Sequence, residues 1–129
     1  MKKFLVLTVF IAQLFAIQAN KENVLKLQQQ HIPIVDIRLP MEWQSTGTIP
    51  NALRITFFTR EGINPNFLKE LKKYNIDANS KFAIICRTGH RTTEATEILK
   101  ANGYKKVINL EGGMFNLFKS FLKDLKNGK

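Results

Sequence analysis

The chain has 129 residues and one cysteine, Cys86, which is followed by Arg87-Thr88-Gly89-His90-Arg91-Thr92. The residues before it, 82–85, are apolar and read as a buried strand, and a helical pattern starts near Thr92. Cys86 is therefore expected at the carboxyl end of a strand, where open α/β sheets place their ligands. The helix that follows offers unpaired backbone N–H groups and a partial positive charge at its N-terminus. A loop curling just before it can aim several N–H groups at one point and form an anion site. Gly89 lets the backbone curl, and Arg87, His90 and Arg91 add positive potential. Such a cup favours the thiolate, which is the nucleophile, and would equally hold an anionic persulfide or a bound oxyanion. The competing reading makes Cys86 a small apolar filler at a strand end. The Arg-x-Gly-x-Arg segment and the following helix weigh against that, and the expectation is an acidic thiol that stays accessible.

Other chemistries find less support. A lone cysteine excludes an internal disulfide, a redox CxxC pair and a cysteine-rich zinc site. Paired carboxylates, a GxxxxGK phosphate loop and metal-spaced histidines are not seen, so neither metal nor cofactor is expected. His31 has no companion at ligand spacing and reads as a surface histidine, and Trp43 reads as packing.

The elements that must position the cysteine alternate in type. Short apolar runs at 34–37, 52–55, 82–85 and 107–110 read as strands, the first bounded by Pro33 and Pro40. A weaker strand or helix is expected before Ile34. Phe67, Leu68, Leu71 and Tyr74 share a helical face, and so do Ala95, Ile98 and Leu99 before the stop signal Asn102-Gly103. After Gly112-Gly113, Met114, Leu117, Phe118, Phe121, Leu122 and Leu125 recur at helical spacing. That stripe is expected to pack on the sheet rather than to lie on a membrane. Strands alternating with helices imply an α/β domain with a mostly parallel sheet covered on both faces. Neither an internal repeat nor a linker is visible, and one domain is expected over residues 21–126.

Residues 1–19 read as a secretory signal peptide: Lys2 and Lys3, then a run of about fourteen apolar residues, then the small residues Ala16 and Ala19. The run is shorter than the ~20 apolar residues a membrane span needs. Cleavage after Ala19 is expected, with cleavage after Ala16 or a retained anchor as alternatives. A periplasmic or secreted location follows, where an unused free thiol would be a liability. The net charge of +10 favours anionic small molecules, acidic partners or membrane surfaces. Nucleic acid is not expected as a partner of an exported chain. Nor is stable membrane insertion of the mature chain, and a monomer is expected. The lysine runs read as solvated helix faces.

The same motifs, taken in order, resemble the rhodanese family: Asp36-Ile37-Arg38, Glu42-Trp43, Gly47-Thr48-Ile49-Pro50-Asn51-Ala52, Cys86 to Thr92, and Leu110-Glu111-Gly112-Gly113. The likeness spans about residues 33–117. Thr48 stands where the family usually has His, Asn51 where it often has Gly, and Asn116-Leu117 where Ala-Trp is common. The resemblance implies a rhodanese-like fold and sulfur transfer, with Cys86 carrying a sulfane sulfur from thiosulfate or a persulfide to a thiol or cyanide. A module that holds a persulfide, or docks a partner, without turnover is the alternative. By the resemblance, Arg87, Thr88, Gly89, His90, Arg91 and Thr92 form the substrate loop. Asp36, Arg38 and Glu42 support it, with Glu42 a partner for Arg91. Four residues separate Cys86 from Arg91, the spacing the resemblance associates with sulfur rather than with the wider loop of related phosphatases and arsenate reductases.

Overall fold

The computed structural model describes residues 15–128. Seven strands and five helices follow one another: β1 (Ala16–Gln18), α1 (Lys21–Gln29), β2 (Ile34–Asp36), α2 (Pro40–Thr46), β3 (Leu53–Arg54), β4 (Phe58–Thr59), β5 (Gly62–Ile63), α3 (Phe67–Lys73), β6 (Lys81–Ile85), α4 (His90–Ala101), β7 (Lys106–Glu111) and α5 (Gly113–Lys126). Five strands form one parallel sheet in the order β1-β7-β6-β2-β3, and β4 and β5 make a small antiparallel hairpin. The expected α/β class with a parallel central sheet is what the chain adopts.

The apolar run of β6 explains its central place. Successive side chains point to opposite faces of a strand, and both faces of this one are covered. Phe82 and Ile84 enter a cluster with Phe67 and Leu71 of α3 and Ala95 and Leu99 of α4. Ala83 and Ile85 enter a second cluster with Val24 and Leu27 of α1 and Met114 and Leu117 of α5. Cys86 follows directly, so the strand fixes its height and the two helical layers fix its surroundings.

The sheet starts earlier in the chain than the sequence reading had it. Ala16, Ile17 and Gln18 pair with Asn109, Leu110 and Glu111 of β7, and Ala19 is fully buried in the second cluster. The domain therefore begins within the stretch set aside as a leader, because an apolar run can serve as an edge strand as well as a secretion signal. Residues 1–14 of that leader, with Lys2, Lys3 and most of the apolar run, lie outside the described residues.

The element before Ile34 is the helix α1, capped by the Asn20 side chain, which accepts from the Asn23 N–H. Its two buried positions, Val24 and Leu27, are too few to give a strong period. The β4–β5 hairpin and α2 also had no clear sequence signal. The stripe on α5 requires the largest correction. Met114 and Leu117 are buried, but Phe118, Phe121, Leu122 and Leu125 are exposed, as is Phe115. A helix crossing the edge of a layer can bury only the arc that meets the sheet, whatever its pattern.

Candidate active site

Cys86 leaves the carboxyl end of β6 and the chain turns at once into α4. Gly89 makes that turn with φ 105°, a left-handed conformation that glycine adopts without steric penalty. The turn brings the Gly89 N–H to the sulfur, where it donates to Cys86 Sγ at 3.2 Å. Thr92, fully buried in the first turn of α4, lies with its hydroxyl 3.7 Å from the sulfur and donates to the Gly89 carbonyl at 3.1 Å. Thr93 holds the same carbonyl through its own N–H and hydroxyl. The cup is thus stitched from inside by two threonines, and α4 starts at His90, two residues earlier than its apolar pattern suggested.

Arg91 braces the cup from outside. Its guanidinium donates to both carboxylate oxygens of Glu42, at 2.6 and 2.9 Å. This paired geometry is specific to arginine. The bond from Arg91 lowers the Glu42 pKa, against some desolvation and with help from the Leu39 N–H. The same bond raises the Arg91 pKa, with the negative charge of Glu42 adding to it against desolvation. Arg91 is therefore committed to structure, as the resemblance implied, and Glu42 ties α2 to the Cys86 loop.

Asp36 and Arg38 are buried beneath this layer. The Arg38 side chain, 2% exposed, donates through Nε and Nη2 to Asp36, through Nη1 to Thr46 and again through Nη2 to the Gly47 carbonyl. Thr48 donates to Asp36 Oδ2 at 2.6 Å. A buried ion pair is costly unless its remaining atoms are also bonded, and here Thr46, Thr48 and Gly47 complete it. Thr48 and Asn51 departed from the resemblance, and both are accommodated. Thr48 supplies the hydrogen bond to Asp36, and Asn51 takes φ 66°, a left-handed conformation asparagine tolerates.

Three residues outside the expected set, Gly113, Met114 and Phe115, shape the cup. Gly113 packs so tightly that an added Cβ would lie 2.5 Å from the Cys86 carbonyl oxygen and 2.6 Å from the Arg87 carbonyl carbon. Met114 and Phe115 then donate their N–H groups to the carbonyls of Cys86 and Arg87. The helix N-terminus of α5 is capped by the Cys86 loop itself, which the Gly-Gly pair signalled without showing what it touched.

Arg87, Thr88 and His90 are exposed, and among the described residues no partner holds the side chain of Arg87 or His90. Arg87 lines a cavity of about 440 Å³ with Arg38, Met41, Glu42, Phe115 and Phe118, so a free guanidinium and an apolar wall meet beside the cup. Cys86 itself is 1% exposed, which corrects the expectation of an accessible thiol: the loop that orients amides toward the sulfur also covers it. His31 lies on the surface, as read from sequence.

The sequence profile of the family described as "Rhodanese-like domain" matches residues 19–120. The chain belongs to the rhodanese-like domain family. A protein of Allochromatium vinosum named sulfurtransferase is 33% identical over 85 residues, covering 66% of this chain and 70% of that protein. A rhodanese-like domain protein from Staphylococcus aureus has a solved structure that superposes with a TM-score of 0.60. It is 29% identical, covering 78% of this chain and 88% of that one. A human single-domain sulfurtransferase, 19% identical with a TM-score of 0.55 over 82% of this chain and 95% of its own, shares the rhodanese fold. Residues of the cup, Cys86 to Thr92, lie within the matched region, as do Asp36, Arg38 and Glu42.

Proposed function

We propose that this chain is an exported sulfurtransferase that carries a sulfane sulfur on Cys86. The observation that carries the reading is the Gly89 N–H directed at Cys86 Sγ, in a loop closed by the Arg91–Glu42 pair. The Cys86 thiolate attacks the outer sulfur of thiosulfate, the S–S bond breaks, and sulfite leaves with the bonding electrons. The same amide then faces the charge of the Cys86 persulfide, as an oxyanion hole faces a developing anion. A thiolate or cyanide attacks the outer sulfur, and Cys86 is released as thiolate. This is a two-step transfer in which each bond broken is replaced by one formed. Arg87 supplies the positive charge that draws the anionic donor to the cup. Export rests on the leader-like pattern of residues 1–19.

The near-complete burial of Cys86 favours a second reading, in which the domain holds a persulfide and passes it on only to a docked partner. Thiocyanate formation from thiosulfate and cyanide, with Cys86→Ser as control, separates the two. Turnover that vanishes in the variant supports the enzyme. No turnover in the wild type, with one extra sulfur on Cys86 by mass spectrometry after thiosulfate treatment, supports the carrier. If Cys86 takes up no sulfur at all, both readings fail.

A further inference from the structure

The outer face of α5 is unusual for a helix that packs on a sheet. Phe115, Phe118, Leu122 and Leu125 follow one another at spacings of three and four residues and are 60%, 41%, 58% and 70% exposed. Leu25 of α1 and Met41 of α2 extend the apolar surface. Lys119, Lys123 and Lys126 form the adjoining stripe, each one residue beyond Phe118, Leu122 and Leu125. The Lys119 ammonium sits 5.2 Å from the centre of the Phe115 ring. Asp124, the one acidic residue of the helix, is turned the other way and bonds Lys21 at 3.0 Å. The outward arc of α5 is therefore apolar with a border of three lysines.

We infer that this face of α5 docks on an anionic lipid bilayer, lying in the headgroup region with its lysines on the phosphates. Large apolar side chains beside lysines are the pattern of helices that lie in a membrane interface, and lysine stems reach from apolar depth to the headgroups. A second copy of the chain fits less well. Face to face, the two lysine stripes would have no acidic residue of either α5 arc to answer them. A bilayer needs no shape match to a ridge, only apolar depth and negative charge. Among the described residues no helix is long and apolar enough to cross a membrane, so the contact is peripheral.

The geometry sets the orientation as well. α5 starts on the carbonyls of Cys86 and Arg87 and passes Lys21, where Ser120 accepts from the backbone N–H. Cys86 follows β6 and Lys21 follows β1, so the helix stays at the carboxyl edge of the sheet, beside the cup. Docking would bring Arg87 and the cup close to the lipid surface.

The test uses the full chain and vesicles of phosphatidylcholine, with or without an equal part of phosphatidylglycerol. The wild type is expected to cosediment with the anionic vesicles and to be released by salt. Phe118→Asp with Leu122→Asp should weaken that binding by at least about tenfold, and so should Lys119→Glu with Lys123→Glu. Residues 1–14 are common to all these proteins, so a difference between them belongs to α5. A Leu125→Trp variant provides a second readout that does not depend on total binding. Its added emission should shift to the blue with anionic vesicles, measured against the Trp43 background of the wild type. Equal binding by the wild type and the variants, together with no shift from Trp at 125, would overturn the inference. So would equal binding to neutral vesicles, or a solution dimer that Phe118→Asp with Leu122→Asp dissolves, which would assign the face to a second copy.

Discussion

Cys86 sits where an amide can serve its charge and where the loop hides it, and both facts follow from Gly89 turning back over the sulfur. Reagent size should then matter more than reagent strength. Iodoacetamide is expected to label Cys86 in the folded protein, while a bulky aromatic disulfide reacts at least about tenfold more slowly than with the unfolded chain. Equal rates would mean that the sulfur is open. Glu42 gives a second prediction at this scale. Its folded pKa is lowered by Arg91, so the ionised carboxylate stabilises the fold above the unfolded carboxyl pKa, about 4.3. That contribution is lost as pH falls through the lower folded value. Glu42→Gln should thus cost stability near neutral pH, and the difference from wild type should shrink towards zero in acid. Denaturant melts at several pH values check this, and a gap that does not depend on pH would refute it. The loop residues themselves were legible in the sequence, because cysteine, glycine and arginine at this spacing have few other uses. The accessibility of the thiol was not. It depends on how far the backbone folds over its own side chain, which spacing alone does not encode.

The elements show the same division. β6 was readable because a run buried on both faces is apolar throughout, β7 because Val107, Ile108 and Leu110 are apolar around Asn109, and α4 because Asn102-Gly103 ends it. α1, with two buried positions, and the β4–β5 hairpin were not, since their stability comes from neighbours rather than from their own pattern. Gly113 belongs at this level, because it is the point where α5 meets the Cys86 loop. Gly113→Ala forces a Cβ into the carbonyl of Cys86, at 2.5 Å, in a residue whose φ of 60° already disfavours a side chain. Backbone strain of about 1–3 kcal/mol is expected, together with loss of sulfur transfer out of proportion to the loss of stability. Thermal melts and the thiocyanate assay, run on one preparation, check both. Wild-type turnover in the variant would show that the cup tolerates the shift.

Over the whole molecule, the sheet reaches back to Ala16, ahead of the residue 21 at which the domain was expected to begin. Because Ala16–Gln18 pairs with β7 and Ala19 is buried, a cut after Ala19 would strip the edge strand and leave β7 paired on its β6 side alone. Processing, where it occurs, is expected at or before Ala16, and N-terminal sequencing of the protein recovered from cells checks this. A mature chain starting at Asn20 would contradict it. The exposure of the α5 stripe was likewise hidden, since a helical period says that one arc is apolar but not how much of it another layer covers. The capping of α5 by the loop has a further consequence. The amides of Met114 and Phe115 end on the carbonyls of Cys86 and Arg87, so any widening of the ring to admit a second sulfur must slacken the first turn of the helix. Deuterium uptake at those two amides would then register whether the protein is loaded or empty, turning a structural weld into a gauge of its chemical state.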